Sequence, residues 1–229
     1  RQFTRSLVGF MAGGLLLEDL EHWLIPAAGP VEEKRSSQIG LTEVEQLEQA
    51  AEMFRAWDHE FGGGLRRRAV VGQLGDVTTE LRMFSHPQPI RLRLFTVMAR
   101  LAECAAMMSW DAGEGGRAQR FYVTALRAAK EAGDRQFGAN VLAAMARQLY
   151  YLDQPTDGLE LVRLAQVGVG PSGDPLIRSM LATREAWGYA LQGRVQAFRR
   201  TTGQAEDLFA SGWADGHPTW ITYFDQGEL

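Results

Sequence analysis

The chain has a single cysteine, Cys104, and only two lysines, Lys34 and Lys130, against 22 arginines. One cysteine cannot close an internal disulfide, so nothing demands an oxidising compartment. In its apolar helical surroundings Cys104 reads as a small buried hydrophobe. The scarcity of lysine reads as high-GC codon usage and carries no mechanism. Long hydrophobic runs are missing: the longest, Leu7–Leu17, has eleven residues, too few to span a bilayer. Strong net charge is missing as well. A balance of −4 over 229 residues, with a pI near 5.6, excludes the chain as a whole from binding polyanions. Catalytic spacing is absent too. None of His22, His59, His86 and His217 has another histidine three or four positions away. No His-Glu-x-x-His, Gly-x-Ser-x-Gly or paired carboxylates stand out. We therefore expect no enzyme activity, no metal and no cofactor.

What is present is a repeat of forty residues. Ala99–Gly133, Ala139–Gly173 and Ser179–Trp213 align without a gap. Ala106, Ala146 and Ala186 fall in register, as do Ala125, Ala165 and Ala205, and Leu101, Val141 and Leu181. Turn signals recur between the units, at Ala132-Gly133-Asp134 and Ser172-Gly173-Asp174, with Ser211-Gly212-Trp213 as a drifted third. A fixed period of 20–50 residues predicts units that bury their apolar faces against their neighbours.

The expected organisation is all-α. Residues 1–24 form an N-terminal packing helix, preferred over a signal peptide because Glu18-Asp19-Leu20-Glu21 follows the apolar run directly. Residues 25–40 read as a Pro/Gly/Ser linker. Residues 41–229 form the repeat domain: a divergent pair at 41–84, repeats at about 90–132, 135–170 and 175–211, and a partial helix at 218–229. Thr42-Glu43-Val44-Glu45 reads as a capping box opening the helix that carries Leu41, Val44, Leu47, Ala51, Phe54 and Trp57. Gly62-Gly63-Gly64 breaks it. Val70, Val71, Leu74, Val77 and Leu81 then mark one face of the next helix. Helices are predicted at 90–111, 115–132, 135–152, 156–169, 175–192 and 194–211. The chain opens on Arg1 and stops at Leu229 in mid-pattern, so a longer protein is expected.

The small residues fall where tetratricopeptide repeats need them. Ala106, Ala146 and Ala186 lie where the first helix meets the second. Ala118 and Gly158 are small on the second helix, while the third unit has Phe198 there with Ala197 beside it, suggesting a one-residue rotation. The resemblance implies about four helix pairs in a right-handed solenoid, with looser geometry than the usual 34-residue period. A narrower likeness lies in Trp57-Asp58-His59-Glu60-Phe61-Gly62-Gly63-Gly64-Leu65-Arg66-Arg67-Arg68-Ala69-Val70-Val71-Gly72-Gln73-Leu74, and continues through Gln119-Arg120-Phe121-Tyr122, Ala132-Gly133-Asp134 and Gly138-Ala139-Asn140-Val141-Leu142. These residues resemble the tetratricopeptide-like C-terminal half of actinobacterial transcriptional regulators, in which a phage-repressor-type helix-turn-helix domain precedes the repeats. No helix-turn-helix pattern fits the residues before Leu41. The likeness implies a cytoplasmic sensor module whose DNA contact comes only through an absent N-terminal domain, with no membrane partner and with a homodimer as one arrangement. The alternative is a stand-alone protein–protein scaffold.

In such an array the first helix of each pair lines the concave groove. By register that face holds Arg100, Glu103, Met107 and Trp110, then Asn140, Ala143, Arg147 and Tyr150, then Met180, Thr183 and Trp187. Asn140 and Arg147 lie seven apart, on one face two turns apart, and would grasp a peptide backbone or carboxylate. Trp110, Tyr150 and Trp187 would supply aromatic walls for a peptide, small signal molecule or protein partner. Asp58-His59-Glu60 points three ways around a helix and makes a poor metal site. Gly62–Arg68 lacks a P-loop ending and reads as a turn followed by a basic patch. Residues 55–100 carry eight arginines and four acids, whereas 201–229 carry five acids and no base. That asymmetry could orient the module against DNA, a sister subunit or its own DNA-binding domain.

Overall fold

The computed structural model describes residues 35–36, 39–61, 67–212 and 216–229. The expected helix at 1–24, most of the linker, the Asp58-His59-Glu60 side chains, Gly62–Arg66 and Trp213 lie outside the described residues. What is described is all-helical apart from one two-residue strand pair. It falls into two compact units, Arg1–Asp134 and Arg135–Leu229.

The first unit contains β1 (Arg35–Ser36), α1 (Leu41–Phe61), α2 (Arg67–Met83), β2 (Phe84–Ser85), α3 (Gln88–Asp111) and α4 (Gly115–Ala132). β1 and β2 pair in parallel, Arg35 opposite Phe84 and Ser36 opposite Ser85. α3 is the common support, packing on α1, α2 and α4. The predicted α2 face is buried at Val70, Leu74, Val77 and Leu81, with Val71 half-buried beside it. On α1, Val44 and Ala51 are buried, but Leu41 is exposed because it opens the helix. The expected cap at Thr42 is displaced by two residues. The Gly40 carbonyl accepts from Val44 N–H, and the Glu43 carboxylate accepts from Gly40 N–H at 2.9 Å. Glu43 therefore supplies the carboxylate arm of the capping box, and glycine stands at the cap.

The second unit contains α5 (Arg135–Tyr151), α6 (Pro155–Val169), α7 (Pro175–Leu191), α8 (Val195–Ser211) and a short 3-10 turn at Thr219–Ile221. α5 packs on α6, α7 on α8, and α6 and α5 on α7. Ser179 Oγ donates to the Ala205 carbonyl at 2.7 Å, a close approach that the small Ala205 side chain permits. The expected helix at 218–229 is not formed. There the chain runs from the 3-10 turn into further turns, with Asp225 Oδ1 accepting from Gly227 and Glu228 N–H at 2.7 and 3.2 Å and the Asp225 carbonyl accepting from Glu228 and Leu229 N–H.

The forty-residue spacing reappears as turn geometry. The left-handed residue of each hairpin is Gly113 (φ 75°), Asp153 (φ 59°) or Gly193 (φ 67°). At each turn the same 6→1 bond closes the helix: Glu114 N–H to Ser109 O, Gln154 N–H to Leu149 O, and Arg194 N–H to Tyr189 O. Aspartate tolerates this conformation better than most residues, so it can stand in the glycine position. The seam residues are buried as registered: Ala106, Ala146 and Ala186, and Ala125, Ala165 and Ala205. Ala197 is buried and Phe198 exposed, as the one-residue rotation expects. Gly133 and Gly173, equivalent in sequence, differ in structure. Gly133 has φ 73°, but in the longer loop after α6 the left-handed residue is Gly170, at φ 69°. Gly173 instead lies against Val169, whose side chain leaves no room for a Cβ.

Candidate ligand-binding site

The residues expected to line a groove divide between the two units. In the first, Arg100 and Glu103 belong to an ion-pair ladder joining α1 to α3. Arg93 grips Glu48 through two hydrogen bonds of 2.9 and 2.7 Å. Arg100 reaches Glu52 at 2.6 Å, and Arg55 reaches the buried Glu103 at 3.3 Å. The pairs ascend together along both helices, so α1 and α3 run parallel. Met107 and Trp110 are half-buried in the last turns of α3. Five of the eight arginines between 55 and 100 are neutralised internally, Arg67 by Glu114 and Arg91 by Glu131 among them.

In the second unit, Asn140, Ala143 and Met180 are buried, and Thr183 is half-buried. Arg147 is half-buried and forms no ion pair with a described residue. Tyr150 is a core plank. Its ring fills a slot opposite Gly158 and Gly188, where an added Cβ would come within 2.3 Å and 2.7 Å of it. Burial holds the Tyr150 phenol proton well above its ordinary range, and the neighbouring Glu185 adds to this. Trp187 packs between Tyr150 and Tyr151, with ring centroids 5.3 and 5.4 Å away. Two of the three expected aromatic walls, Tyr150 and Trp187, thus contact one another.

The same side of α5 and α7 carries the chain's own C-terminal segment. Trp220 sets its edge on Phe137, three residues before Asn140, with centroids 5.5 Å apart. Glu228 pairs at 3.3 Å with Arg184, a buried guanidinium one turn beyond Met180.

A cleft of about 730 Å³ opens on the opposite face of α7. Leu181 and Ala182 form its floor, α6 contributes Arg163, Gln166 and Val167, and α8 contributes Gln204, Asp207 and Leu208. Arg178 and Glu185 stand at its two ends, seven residues or roughly 10 Å apart along the helix. Glu185 is held in place: Gln166 donates to one oxygen at 2.8 Å and Tyr189 to the other at 2.8 Å. A hydrogen bond to Tyr189 raises the Arg163 guanidinium above its usual range, and Glu160 pairs with it at 2.5 Å. Arg178 is half-buried, and neither it nor Asp207 has an ion-pair partner among the described residues. The volume suits a small molecule. The chemistry is that of a polar cradle, with an available cation at one end, carboxylates along its walls and an apolar floor between. The groove register missed this cleft. The available signal was Gly168-Val169-Gly170-Pro171-Ser172-Gly173, the longest break in the array, since Gly170 and Pro171 line the opening.

Among the described residues there is no group of three metal-ligating side chains, and no helix is long and apolar enough to cross a membrane. The fold and site define an all-helical protein of antiparallel helix pairs with a mixed-charge cleft in its second unit. Comparison with protein-family models, curated proteins and solved structures finds no match to this chain.

Proposed function

We propose that the chain is the sensing module of a transcriptional regulator, built as a tetratricopeptide-like right-handed solenoid. A small signal or peptide binds it, and a helix-turn-helix domain outside this chain reads the result. The observation that carries the sensing half is the cleft between α6, α7 and α8, with its available Arg178 at one end and its fixed Glu185 at the other. Arg147, half-buried and without an ion pair among the described residues, is the corresponding candidate on the other face. Binding would favour one packing of the helix pairs over another, and so respace paired DNA-binding domains. The regulatory half rests on the likeness around Trp57–Leu74. Screening amino acids and short peptides by calorimetry, on wild type and on Arg178→Ala and Arg147→Ala, tests the first half. The expected result is a ligand whose affinity falls at least ten-fold in one variant with helicity unchanged. The second half is tested by reading the gene upstream of Arg1, where an open reading frame starting near Arg1 overturns it.

A protein–protein scaffold is the second reading. It draws on the exposed apolar side chains Tyr151, Val167, Leu191 and Val195. It predicts co-purifying protein and no small-molecule shift in melting temperature.

A further inference from the structure

The segment after α8 is fastened to the second unit through one histidine whose two ring nitrogens both face acceptors. His217 Nδ1 lies 2.7 Å from Asp174 Oδ2, and Nε2 is hydrogen-bonded to the Gly212 carbonyl oxygen. The other oxygen of Asp174 is the N-cap of α7, accepting from Leu176 and Ile177 N–H at 2.8 and 3.3 Å. Asp174 is therefore placed to accept on both arms, and the carbonyl can only accept. A neutral imidazole has one donor and one acceptor nitrogen, so it would turn a lone pair toward one of these oxygens. The imidazolium donates to both. Gly212 is also the C-cap of α8, where the helix dipole favours a cation. The ring and its carboxylate are largely shielded, with 19% and 14% of their side chains exposed.

Beyond His217 the segment is anchored by apolar burial. Trp220 packs on Phe137, and Phe224 on Phe209 at 5.9 Å, while Ile221 is fully buried. Its far end is the Glu228–Arg184 pair.

We propose that His217, as the imidazolium, is a proton-dependent clasp that fixes Gly216–Leu229 onto the second unit. The clasped state holds the extra proton and the released state does not require it. Clasping is therefore complete below the imidazole range, near pH 6.5, and weakens as pH rises through the His217 titration. Asp174, from the start of α7, sets a carboxylate against the ring, and the Gly212 carbonyl faces it from the end of α8. Release bares Trp220, Ile221 and Phe224 and uncovers Arg184, which lies on the face of α7 expected to meet a partner.

Hydrogen exchange of the amides between 219 and 229, corrected for intrinsic rates, tests this on the full chain at pH 5.5 and 8.5. Protection should fall on the order of ten-fold between the two, the scale of one hydrogen bond to a charged group. His217→Gln should lower protection at pH 5.5 and remove the pH dependence. Equal protection of wild type at both pH values overturns the clasp, as does a pH dependence that survives in the variant. Titration of the His217 ring by NMR needs no variant. A midpoint above that of the same histidine in a short peptide supports the clasp, and one at or below it overturns it.

Discussion

The two units share one helix spacing but hold their helices together by different physics. In the first, α1 and α3 are stitched by Glu48–Arg93, Glu52–Arg100 and Arg55–Glu103, with Arg67–Glu114 and Arg91–Glu131 tying further helices. In the second, the corresponding work falls to rings and to the absence of side chains. Tyr150 fits between Gly158 and Gly188, and Trp220 and Phe224 close the end. The shared part is the set of small seam residues and the left-handed turn at 113, 153 and 193. A helix-pair scaffold thus fixes spacing through alanines and turns, and leaves the choice of glue to each interface. The first unit should respond to charge and the second to volume, and substitutions can break that distinction.

The largest effect is expected at Trp220, which is 2% exposed. Trp220→Ala should cost about 3–5 kcal/mol in the second unit, read as lost hydrogen-exchange protection on α5, while α1–α3 amides stay protected. Equal loss in both units would mean that they do not behave as separate compact bodies. Next comes the buried end of the ladder. Arg55→Met removes the ion pair to the buried Glu103 carboxylate and should destabilise the first unit by about 3 kcal/mol. The double variant Arg55→Met/Glu103→Met should recover most of it, because the desolvation cost leaves with the charge. Failure of that recovery would assign Glu103 a role beyond the pair.

The slot in the second unit gives a smaller, steric test. Gly158→Ala gains helix propensity but drives a Cβ into the Tyr150 ring, 2.3 Å away. The clash should win, for a net loss of about 1–2 kcal/mol. Combined with Tyr150→Leu, the alanine should cost much less, a non-additivity expected only of residues in contact.

Helix existence and the packing seam were legible because they depend on local pattern. Periodicity marked which side of each helix is apolar, and the forty-residue spacing marked which alanines are buried. The helix bounds fell within two residues of those expected for 90–211. The site was less legible, since register assigns a face but not what covers it. Arg100 and Glu103 do sit on the inner side of α3, yet α1 supplies Glu52 and Arg55 to pair with them, a match between helices some 48 residues apart in sequence. Tyr150 reads as a wall until Gly158 and Gly188 are placed around it. The C-terminal segment, read as a partial helix, forms instead a short 3-10 turn at Thr219–Ile221 followed by further turns.

The smallest and most distinctive effect is one of sign. The hydrogen bond from Arg93 holds the Glu48 carboxyl below its usual range, outweighing the opposing effect of burial. Arg67 and then Arg117 do the same for Glu114. A depressed carboxylate contributes stability above its unfolded value, near pH 4.3, and loses it as pH falls through the folded one. The first unit should therefore soften on acidification below about pH 4.5. It should also soften modestly in 1 M salt, where screening acts over about 3 Å. The clasp at His217 runs the other way, tightening as pH falls from 8.5 to 5.5. Exchange protection followed across that whole range and down to pH 3.5 should show the two units diverging: the C-terminal segment gains protection first, and the α1–α3 interface loses it later. Parallel curves would mean that the charge ladder and the histidine contribute too little to distinguish the units, and that their common alanine seams set both stabilities.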